Sequence, residues 1–277
     1  MKQDDGVMLG INLTTCRQMG IVDSFKTNGS IDFVELLMDN FFHCDPGTIR
    51  PAFGDIPVAF HIMGSHFLER PANEMVEIGK IYRSFIQVVR PIYVSDHLAR
   101  FGHDGLPLPI LAELDYPRAL ANAVERTRQW QDLLDSTVLL ENFPSVMSDG
   151  ACQPGFFAEL IRATGCGLLF DVSNALVAAK NTGTRMEAWE EAVGQFNHFH
   201  AAGFDLQCFK GREFYLDSHD RALAPESMDW VIRLASRDRP GPRTTVVIEF
   251  DDQIDVGAWQ QDLRDLRRRL GPDRSPA

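Results

Sequence analysis

Eight short apolar segments recur along the chain, separated by polar turns and amphipathic stretches. Most are nearly continuous hydrophobic runs, which is typical of strands buried on both faces of a parallel sheet. The predicted strands cover residues 7–13, 33–38, 57–62, 91–97, 137–142, 167–174, 198–203 and 244–251. Between strands, residues 73–90, 116–135 and 155–165 carry apolar side chains at helical spacing. Eight strand–helix units predict a closed (β/α)8 barrel of the TIM type.

The same pattern predicts a single domain over residues 1–277. The barrel is expected from about residue 8 to 252, a C-terminal helix over 253–270 and a flexible tail over 271–277. We find no Pro/Gly/Ser-rich linker that would divide the chain. An open doubly wound sheet is the alternative, but no predicted strand is followed by a Gly-rich dinucleotide fingerprint.

Charge and composition narrow the class of partner. The net charge of −12 argues against a phosphate-backbone substrate, which requires a basic surface. No apolar run is long enough to span a bilayer, and the acidic start is unlike a signal peptide. The five cysteines lack paired spacing, which is typical of reduced thiols. We therefore expect a cytoplasmic protein that binds neither nucleic acid nor membrane.

Polar side chains close several of the apolar runs. The carboxyl ends of barrel strands form one mouth, where barrel enzymes hold their reacting groups. In the run FYLDSHD, Asp217 and His219 are two positions apart, so an extended chain would direct both to one face. The candidate set in chain order is His61, Asp96, His97, Glu141, Asn142, Asp171, Asn174, His200, Asp217, His219 and Glu249.

Taken singly, these residues have structural explanations. A lone histidine at a strand end is commonly hydrogen-bonded within the fold, and Asp171 and Asn174 are typical turn residues before a helix. Taken together, several carboxylates at one mouth would lose hydration and repel one another. Because no excess of Lys or Arg lies beside them in the sequence, divalent metal is the expected countercharge. Imidazole and carboxylate without thiolate suit zinc, iron or manganese, and the donors are too many for one ion.

A set of ordered motifs carries a resemblance to a known family. The motifs are FHIM, VSDHLARFG, LLENFPS, GLLFDVSNALVAAKNTG, HFHAAGF, LDSHD and VVIEFD, and they extend from about residue 8 to residue 252. In this order they resemble the multinuclear non-heme iron-dependent oxidative enzymes. The resemblance implies a xylose-isomerase-like TIM barrel, similar in metal layout also to the endonuclease IV type of repair nuclease.

The resemblance also implies a centre of two or three iron ions in mixed Fe(II) and Fe(III) states. Its implied ligands are His61 and His97 for the first ion, Glu141 as a bridge, Asp171, His200 and Glu249 for the second ion, and Asn174, Asp217 and His219 for the third. Glu141, Asp217 and His219 are the candidate catalytic residues. A neutral amide is a weaker ligand than imidazole or carboxylate, so we expect the third ion to be bound most loosely.

Other polar residues are weaker candidates. Asp96 and Asn142 are expected to orient ligands, and His66 and Arg100, on mouth loops, to contact substrate. His198 shares the strand parity of His200, and we expect a structural role for it.

Two departures from the family pattern indicate a branch. Ile62 follows the third-strand histidine where the family usually has glycine, and Asp39-Asn40 replaces the usual Glu-Asn. Both resemble the methanobactin-biosynthesis iron enzyme, which works as a heterodimer with a small partner protein. This likeness implies a four-electron oxidation of cysteines in a ribosomally made precursor peptide to oxazolone and thioamide groups, with dioxygen as the oxidant.

Three rival functions remain open at this point. A zinc phosphodiesterase of the AP-endonuclease type would use a similar metal cage but should have a basic face. A sugar isomerase would need an active-site lysine or a hydride-shift metal pair. A non-enzymatic metal-binding protein would show no oxygen uptake with any cysteine peptide.

Overall fold

The protein folds as a closed barrel of parallel strands. The computed structural model describes residues 6–237, 241–251 and 255–271. Within these ranges the strands are β1 (Met8–Leu13), β2 (Phe33–Leu37), β3 (Val58–Ile62), β4 (Val94–His97), β5 (Arg100–His103), β6 (Leu106–Ala112), β7 (Leu139–Glu141), β8 (Gly167–Asp171), β9 (His198–Ala201), β10 (Phe204–Phe209), β11 (Arg212–Asp217) and β12 (Thr245–Ile248). The barrel order is β1-β12-β9-β8-β7-β4-β3-β2, and β1 pairs with both β12 and β2 to close it. The predicted TIM-type barrel is therefore confirmed.

The helices pack around the barrel. They are α1 (Met19–Thr27), α2 (Pro46–Phe53), α3 (Ala72–Val89), α4 (Tyr116–Leu134), α5 (Gln153–Thr164), α6 (Val172–Thr182), α7 (Glu187–Val193), α8 (Pro225–Ala235) and α9 (Val256–Leu270). In α3, the sequence predicts an apolar stripe of Val76, Ile78, Ile81, Phe85 and Val89. The structure buries Phe85 and Val89 of this stripe together with Met75 and Tyr82, whereas Ile81 is 42% exposed, so the buried face is turned from the predicted one. Among the helices in the described ranges, none is both long and apolar enough to cross a bilayer.

The amino-terminal part of the barrel interior is filled by close side-chain packing. Phe33, Ala59, Tyr93 and Val247 form one buried cluster inside the barrel. A Cβ atom on Gly10 would lie 2.6 Å from the Phe33 ring, so the ring occupies the space that any larger residue at position 10 would need. Since side chains alternate along each strand, the next inward-facing layers carry the candidate site residues toward the carboxyl mouth.

The structure departs from the predicted elements in two ways. The predicted strand 167–174 ends at Asp171, and its last three residues begin α6, because the Asp171 side chain caps that helix by accepting a hydrogen bond from Asn174 N. Two antiparallel hairpins, β5–β6 and β10–β11, were not predicted. They follow β4 and β9 and therefore stand at the carboxyl mouth. The single-domain division stays a prediction, and residues 272–277 of the predicted tail lie outside the described ranges.

Candidate metal centre

The first acid–imidazole group lies at the ends of β3, β4 and β7. His61 Nε2 is 3.5 Å and His97 Nε2 is 3.4 Å from the same oxygen, Glu141 Oε2. The two imidazole rings are 4.6 Å apart between centroids. One ligand atom from each of the three residues lies within 4.8 Å of the others, so these side chains could hold one cation together.

A second group shares Glu141 with the first. Ligand atoms of Glu141, Asp171, His200 and Glu249 also lie within 4.8 Å of one another, and all four residues are buried. His200 Nδ1 is 3.2 Å from Glu249 Oε1 and 3.7 Å from Glu141 Oε1. Because Glu141 directs Oε2 to the first group and Oε1 to the second, it stands between two cation positions.

Asp217 and His219 form a close pair at the outer side of the second group. Asp217 Oδ2 and His219 Nε2 are 2.5 Å apart, and Glu249 Oε2 is 3.9 Å from the same nitrogen. The sequence suggested that these two side chains meet because they lie on one face of an extended strand, but the structure brings them together in a different way. β11 ends at Asp217, and His219 has a left-handed φ of 50° with its N–H donated to Gly203 O, which turns the imidazole back toward the carboxylate.

Asn174 lies in the first turn of α6, beside the shared glutamate. Its Nδ2 donates to Glu141 Oε1 at 3.3 Å and to Asn142 O at 3.0 Å. Its Oδ1 is buried without a hydrogen-bond partner. The structure thus places Asn174 against the Glu141 side of the centre with a free oxygen, and its role as a ligand to a third ion stays a prediction.

In each of the four imidazoles, the ring nitrogen on the side away from the carboxylates of the centre has a hydrogen-bond acceptor. The pairs are His61 Nδ1 to Ser95 Oγ (2.9 Å), His97 Nδ1 to Ile62 O (3.3 Å), His200 Nε2 to Glu35 Oε2 (3.0 Å) and His219 Nδ1 to Asp251 Oδ2 (2.9 Å). The Ser95 hydroxyl donates to Phe60 O, so its oxygen is left to accept from His61. In the neutral ring the opposite nitrogen then carries a lone pair directed at the carboxylates, the arrangement typical of metal-binding histidines.

Several of these supporting residues were missed by sequence reasoning. Glu35 is fully buried in the middle of β2, and Ser95 in the middle of β4. A signal existed for Glu35, since a lone carboxylate interrupts the apolar run FVELL and demands a buried partner. Asp251, which follows β12, could have been found as a second acid after Glu249.

The clustered acids and imidazoles shift one another's pKa values. Burial raises the pKa of Asp171, and the carboxylates of Asp217, Glu141 and Glu249 raise it further. Burial alone would lower the pKa of His200, but Glu249 and Glu35 outweigh it and raise that pKa well above its usual value. Protons therefore supply part of the positive charge that the cluster needs.

Buried polar atoms without hydrogen-bond partners also indicate that the centre needs positive charge. In the described part of the chain, these site atoms are buried without a hydrogen-bond partner: Asp171 Oδ2, Asn174 Oδ1, His200 Nδ1, Asp217 Oδ1, His219 Nε2 and Glu249 Oε2. All are atoms that can ligate a cation, and buried polar atoms are otherwise nearly always paired. The donor set, imidazole and carboxylate without thiolate, fits iron, zinc or manganese.

Asp96 and Asn142, the two candidate orienting residues, form hydrogen bonds that hold the ends of barrel strands. Asp96 accepts from Trp130 Nε1 at 2.8 Å and from His97 N at 2.8 Å, and burial raises its pKa well above the usual value. The Asn142 amide is paired with the backbone of Asp171, through bonds of 2.8 and 2.9 Å. Both residues therefore fix the strand ends that present ligands.

The remaining candidates lie outside the two groups. His66 stacks on Phe101 with centroids 4.0 Å apart, and Arg100 Nε donates to a backbone oxygen, Glu113 O, at 3.1 Å. Their contact with substrate stays a prediction. His198 lies two residues before His200 on β9, with Nδ1 2.9 Å from Thr245 Oγ1 and its ring against Tyr93.

The fold and its mouth of acids and imidazoles define a xylose-isomerase-like TIM barrel with a candidate metal centre. Among solved structures, a xylose isomerase-like TIM barrel protein from Mycobacterium smegmatis in complex with magnesium matches with a TM-score of 0.66, 11% identity and 98% coverage of each chain. Endonuclease IV from Thermus thermophilus matches with a TM-score of 0.58 at 16% identity, covering 95% of this chain and 98% of that one. At these identities the likeness establishes the fold alone.

Sequence relatives identify the family. Residues 8–268 match the family described as RiPP precursor modification enzyme MbnB/TglH/ChrH, and the chain belongs to it. A UPF0276 protein of Caulobacter vibrioides is 31% identical over 241 residues, which is 81% of this chain and 80% of the relative. Another, from Paraburkholderia phytofirmans, is 32% identical over 240 residues, 82% of this chain and 75% of the relative. The protein is therefore a member of a family of enzymes that modify ribosomally synthesised precursor peptides.

Proposed function

We propose that this protein oxidises cysteine residues of a ribosomally synthesised precursor peptide to oxazolone groups with adjacent thioamides, in an iron- and dioxygen-dependent reaction. Each conversion removes four electrons and four hydrogen atoms from the peptide, and reduction of one dioxygen molecule to two water molecules accepts them. The proposal includes a small partner protein that forms a heterodimer with the barrel, as in methanobactin-type chelator biosynthesis.

Family membership supports a peptide substrate, and two residues support the branch. One of the two is Ile62. The other is Asp39, which lies beside the centre. Its carboxylate accepts from Met63 N at 2.9 Å and from Gly64 N at 2.8 Å, and thereby shapes the loop directly after His61. The residue that departs from the family pattern thus supports the backbone next to a candidate ligand.

The observation that carries the proposal is the orientation of the four imidazoles. Each ring is held by an outer acceptor and turns its other nitrogen toward a carboxylate of the centre. Among the acids of the centre, Asp171, Asp217 and Glu249 each have one buried oxygen without a hydrogen-bond partner. Such an arrangement is built to hold cations, since hydrogen bonds among the side chains alone leave these atoms unsatisfied. In the ion pairs of the described residues, Glu141 and Glu249 are paired with histidines and not with lysine or arginine.

The chain's own residues have distinct tasks in this proposal. The first cation would be held by His61, His97 and Glu141, the second by Glu141, Asp171, His200 and Glu249, and the third by Asn174, Asp217 and His219. Bound iron would supply a Lewis acid for the substrate thiol and the redox capacity to reduce dioxygen. Asp217 and His219, with side chains 12% and 16% exposed, are more open than His200 or Asp171 and face the incoming peptide. Glu141 keeps the two inner positions at a fixed separation.

The test is anaerobic iron loading of the protein co-expressed with its partner, followed by oxygen and a cysteine-bearing precursor. We expect a peptide mass loss of four hydrogens per reacting cysteine, with oxygen uptake in proportion. Glu141→Gln and Asp217→Asn should abolish the mass change while the far-UV circular dichroism spectrum is unchanged. Asp262→Asn, which alters a buried acid on α9, is the matched control and should retain full activity.

Two results would overturn the proposal. One is an iron-loaded heterodimer that leaves the peptide mass unchanged in the presence of oxygen. The other is hydrolysis of a phosphodiester by the zinc-loaded protein at an enzymatic rate, which would favour the phosphodiesterase alternative.

A further inference from the structure

We propose that Glu35 is a positioning residue that fixes His200 as an Nδ1 ligand and makes the Asp171–His200–Glu249 position the tighter of the two inner cation sites. The inference rests on the proposed metal centre but assigns a role to a residue that the ligand set does not include. It also predicts that the two inner positions differ in affinity, although they share Glu141.

Glu35 stands directly behind His200 in the barrel. Both oxygens of its carboxylate lie near His200 Nε2, at 2.9 Å and 3.0 Å. The Tyr93 hydroxyl donates to Glu35 Oε2 at 2.7 Å. Glu35 and His200 are both 0% exposed, so this contact is shielded from water and from competing hydrogen bonds.

The acceptor behind His200 determines which ring nitrogen can bind a cation. A carboxylate can only accept, so His200 Nε2 carries a hydrogen in either protonation state of the ring. Nδ1, which is 3.2 Å from Glu249 Oε1, is therefore the nitrogen that gives up its proton and offers a lone pair when a cation binds. His61, His97 and His219 have the opposite arrangement, with Nδ1 held from behind and Nε2 facing the carboxylates. His200 is therefore correctly oriented only as long as an acceptor remains at position 35.

The two inner positions differ in the charge behind their imidazoles. His61 and His97 are backed by neutral acceptors, the Ser95 hydroxyl and the Ile62 carbonyl. A carboxylate behind a ring increases the electron density at the opposite nitrogen more than a neutral acceptor does, and strengthens the ligand. The second position also has three carboxylates among its candidate ligands, whereas the first has one. Both effects favour tighter binding at the Asp171–His200–Glu249 position.

Glu35→Gln separates orientation from packing. An amide has the shape of the carboxylate but no charge, and since both oxygen positions lie about 3 Å from His200 Nε2, it places one oxygen and one N–H₂ group against that nitrogen. The neutral oxygen is a weaker acceptor than the carboxylate, and the N–H₂ group competes with the hydrogen on Nε2, so the lone pair on Nδ1 becomes a weaker and less firmly oriented ligand. Tyr93→Phe is the matched control, because it removes the other hydrogen bond to Glu35 but keeps the carboxylate behind the ring.

The experiment is a Co²⁺ titration of the metal-free protein, followed by visible absorption and by competition with a chromophoric chelator. We expect the wild type to show a tight and a weaker class of inner site. Glu35→Gln should weaken the tight class about 10- to 100-fold and alter its absorption bands. Ser95→Ala should weaken only the other class, and Tyr93→Phe should change neither class by more than about threefold.

The possible results separate this inference from the function on which it rests. If Glu35→Gln leaves the tight class unchanged, or if Tyr93→Phe weakens it equally, the positioning role is wrong while the metal centre stands. If the wild type binds no Co²⁺, the proposed metal centre fails together with the inference. Circular dichroism and thermal unfolding of each variant identify a loss of fold. Asp251→Asn, which changes the acceptor behind His219, tests outside the barrel core whether the acceptor behind an imidazole controls its binding of a cation.

Discussion

Asp171→Asn should stabilise the metal-free protein and destabilise it relative to wild type once metal is bound. In the structure Asp171 Oδ1 accepts from Asn174 N at 2.6 Å, and Oδ2 is buried without a partner among three other acids that raise its pKa. Asparagine keeps the helix-capping oxygen and removes the charge. Its amide N–H₂ can donate to the neighbouring carboxylates, which relieves part of their repulsion.

The expected magnitudes follow from the burial of this oxygen. Leaving a buried polar group unsatisfied costs about 1–3 kcal/mol, so the variant should gain about 2 kcal/mol of unfolding free energy without metal. For a chain of 277 residues that corresponds to a rise in Tm of about 3–4 °C. In contrast, metal at one thousand times its Kd adds about 4.1 kcal/mol to the wild type. The variant lacks one ligand and loses most of this gain, so the wild type becomes the more stable of the two once metal is bound.

The assay is thermal unfolding at neutral pH, with chelator and then with a titrated divalent cation. The order of the two melting temperatures should reverse between these conditions. Asp262→Asn is the control, because Asp262 is a buried acid on α9 that accepts from Leu223 N at 3.0 Å and takes no part in the centre. Its effect on Tm should be the same with and without metal. The reasoning is refuted if Asp171→Asn lowers the Tm of the metal-free protein, or if metal raises the Tm of variant and wild type equally.

Three further predictions concern other parts of the molecule. Burial raises the pKa of Asp262 to about 6, so the free energy of unfolding of the wild type should fall as the pH rises from about 4 to 6. Asp262→Asn should not show this fall. Urea unfolding should therefore find the variant more stable than the wild type by about 1 kcal/mol at neutral pH, but not at pH about 4. Gly10→Ala should cost about 1–3 kcal/mol by forcing a methyl group against Phe33, and Phe33→Leu in the same chain should recover part of it; equal stability of Gly10→Ala and wild type would contradict the packing argument. Dialysis of the iron-loaded protein against a mild chelator should remove one ion before the others, because the position with Asn174 has a neutral ligand, and full retention of three ions would count against that assignment.

The sequence predicts the barrel well because its strands are buried on both faces. β12 (Thr245–Ile248), for example, is buried at all four positions and reads TVVI, and such a short apolar run is visible without any tertiary information. The hairpins β5–β6 and β10–β11 escape this reasoning because they are largely exposed. β6, for example, contains two prolines and alternates poorly, since most of its side chains face solvent.

Whether a candidate site residue can be recognised in the sequence depends on where it lies in its strand. Residues that close an apolar run, such as Asp171 and Glu249, are recognisable because a polar residue ends a buried strand. Glu35 was missed because it lies inside a run, where its purpose depends on His200, a residue distant in sequence. The approach of His219 to Asp217 depends on a left-handed residue, which an extended-chain argument cannot provide.

The predicted signs of the Gly10 and Asp171 variants follow from one division of the barrel interior. Toward the amino-terminal end, Phe33, Tyr93 and Val247 fill the barrel with apolar contacts, so a change there removes or overfills packing and destabilises. Toward the carboxyl mouth, the acids repel one another and retain orphaned oxygens, so removing a charge there relieves strain. A barrel that is firmly packed toward its amino-terminal end can tolerate a layer of acids at the carboxyl mouth that is unfavourable by itself. A cation at the mouth would offset this cost by neutralising the crowded acids, so metal affinity and metal-free stability should change in opposite directions there.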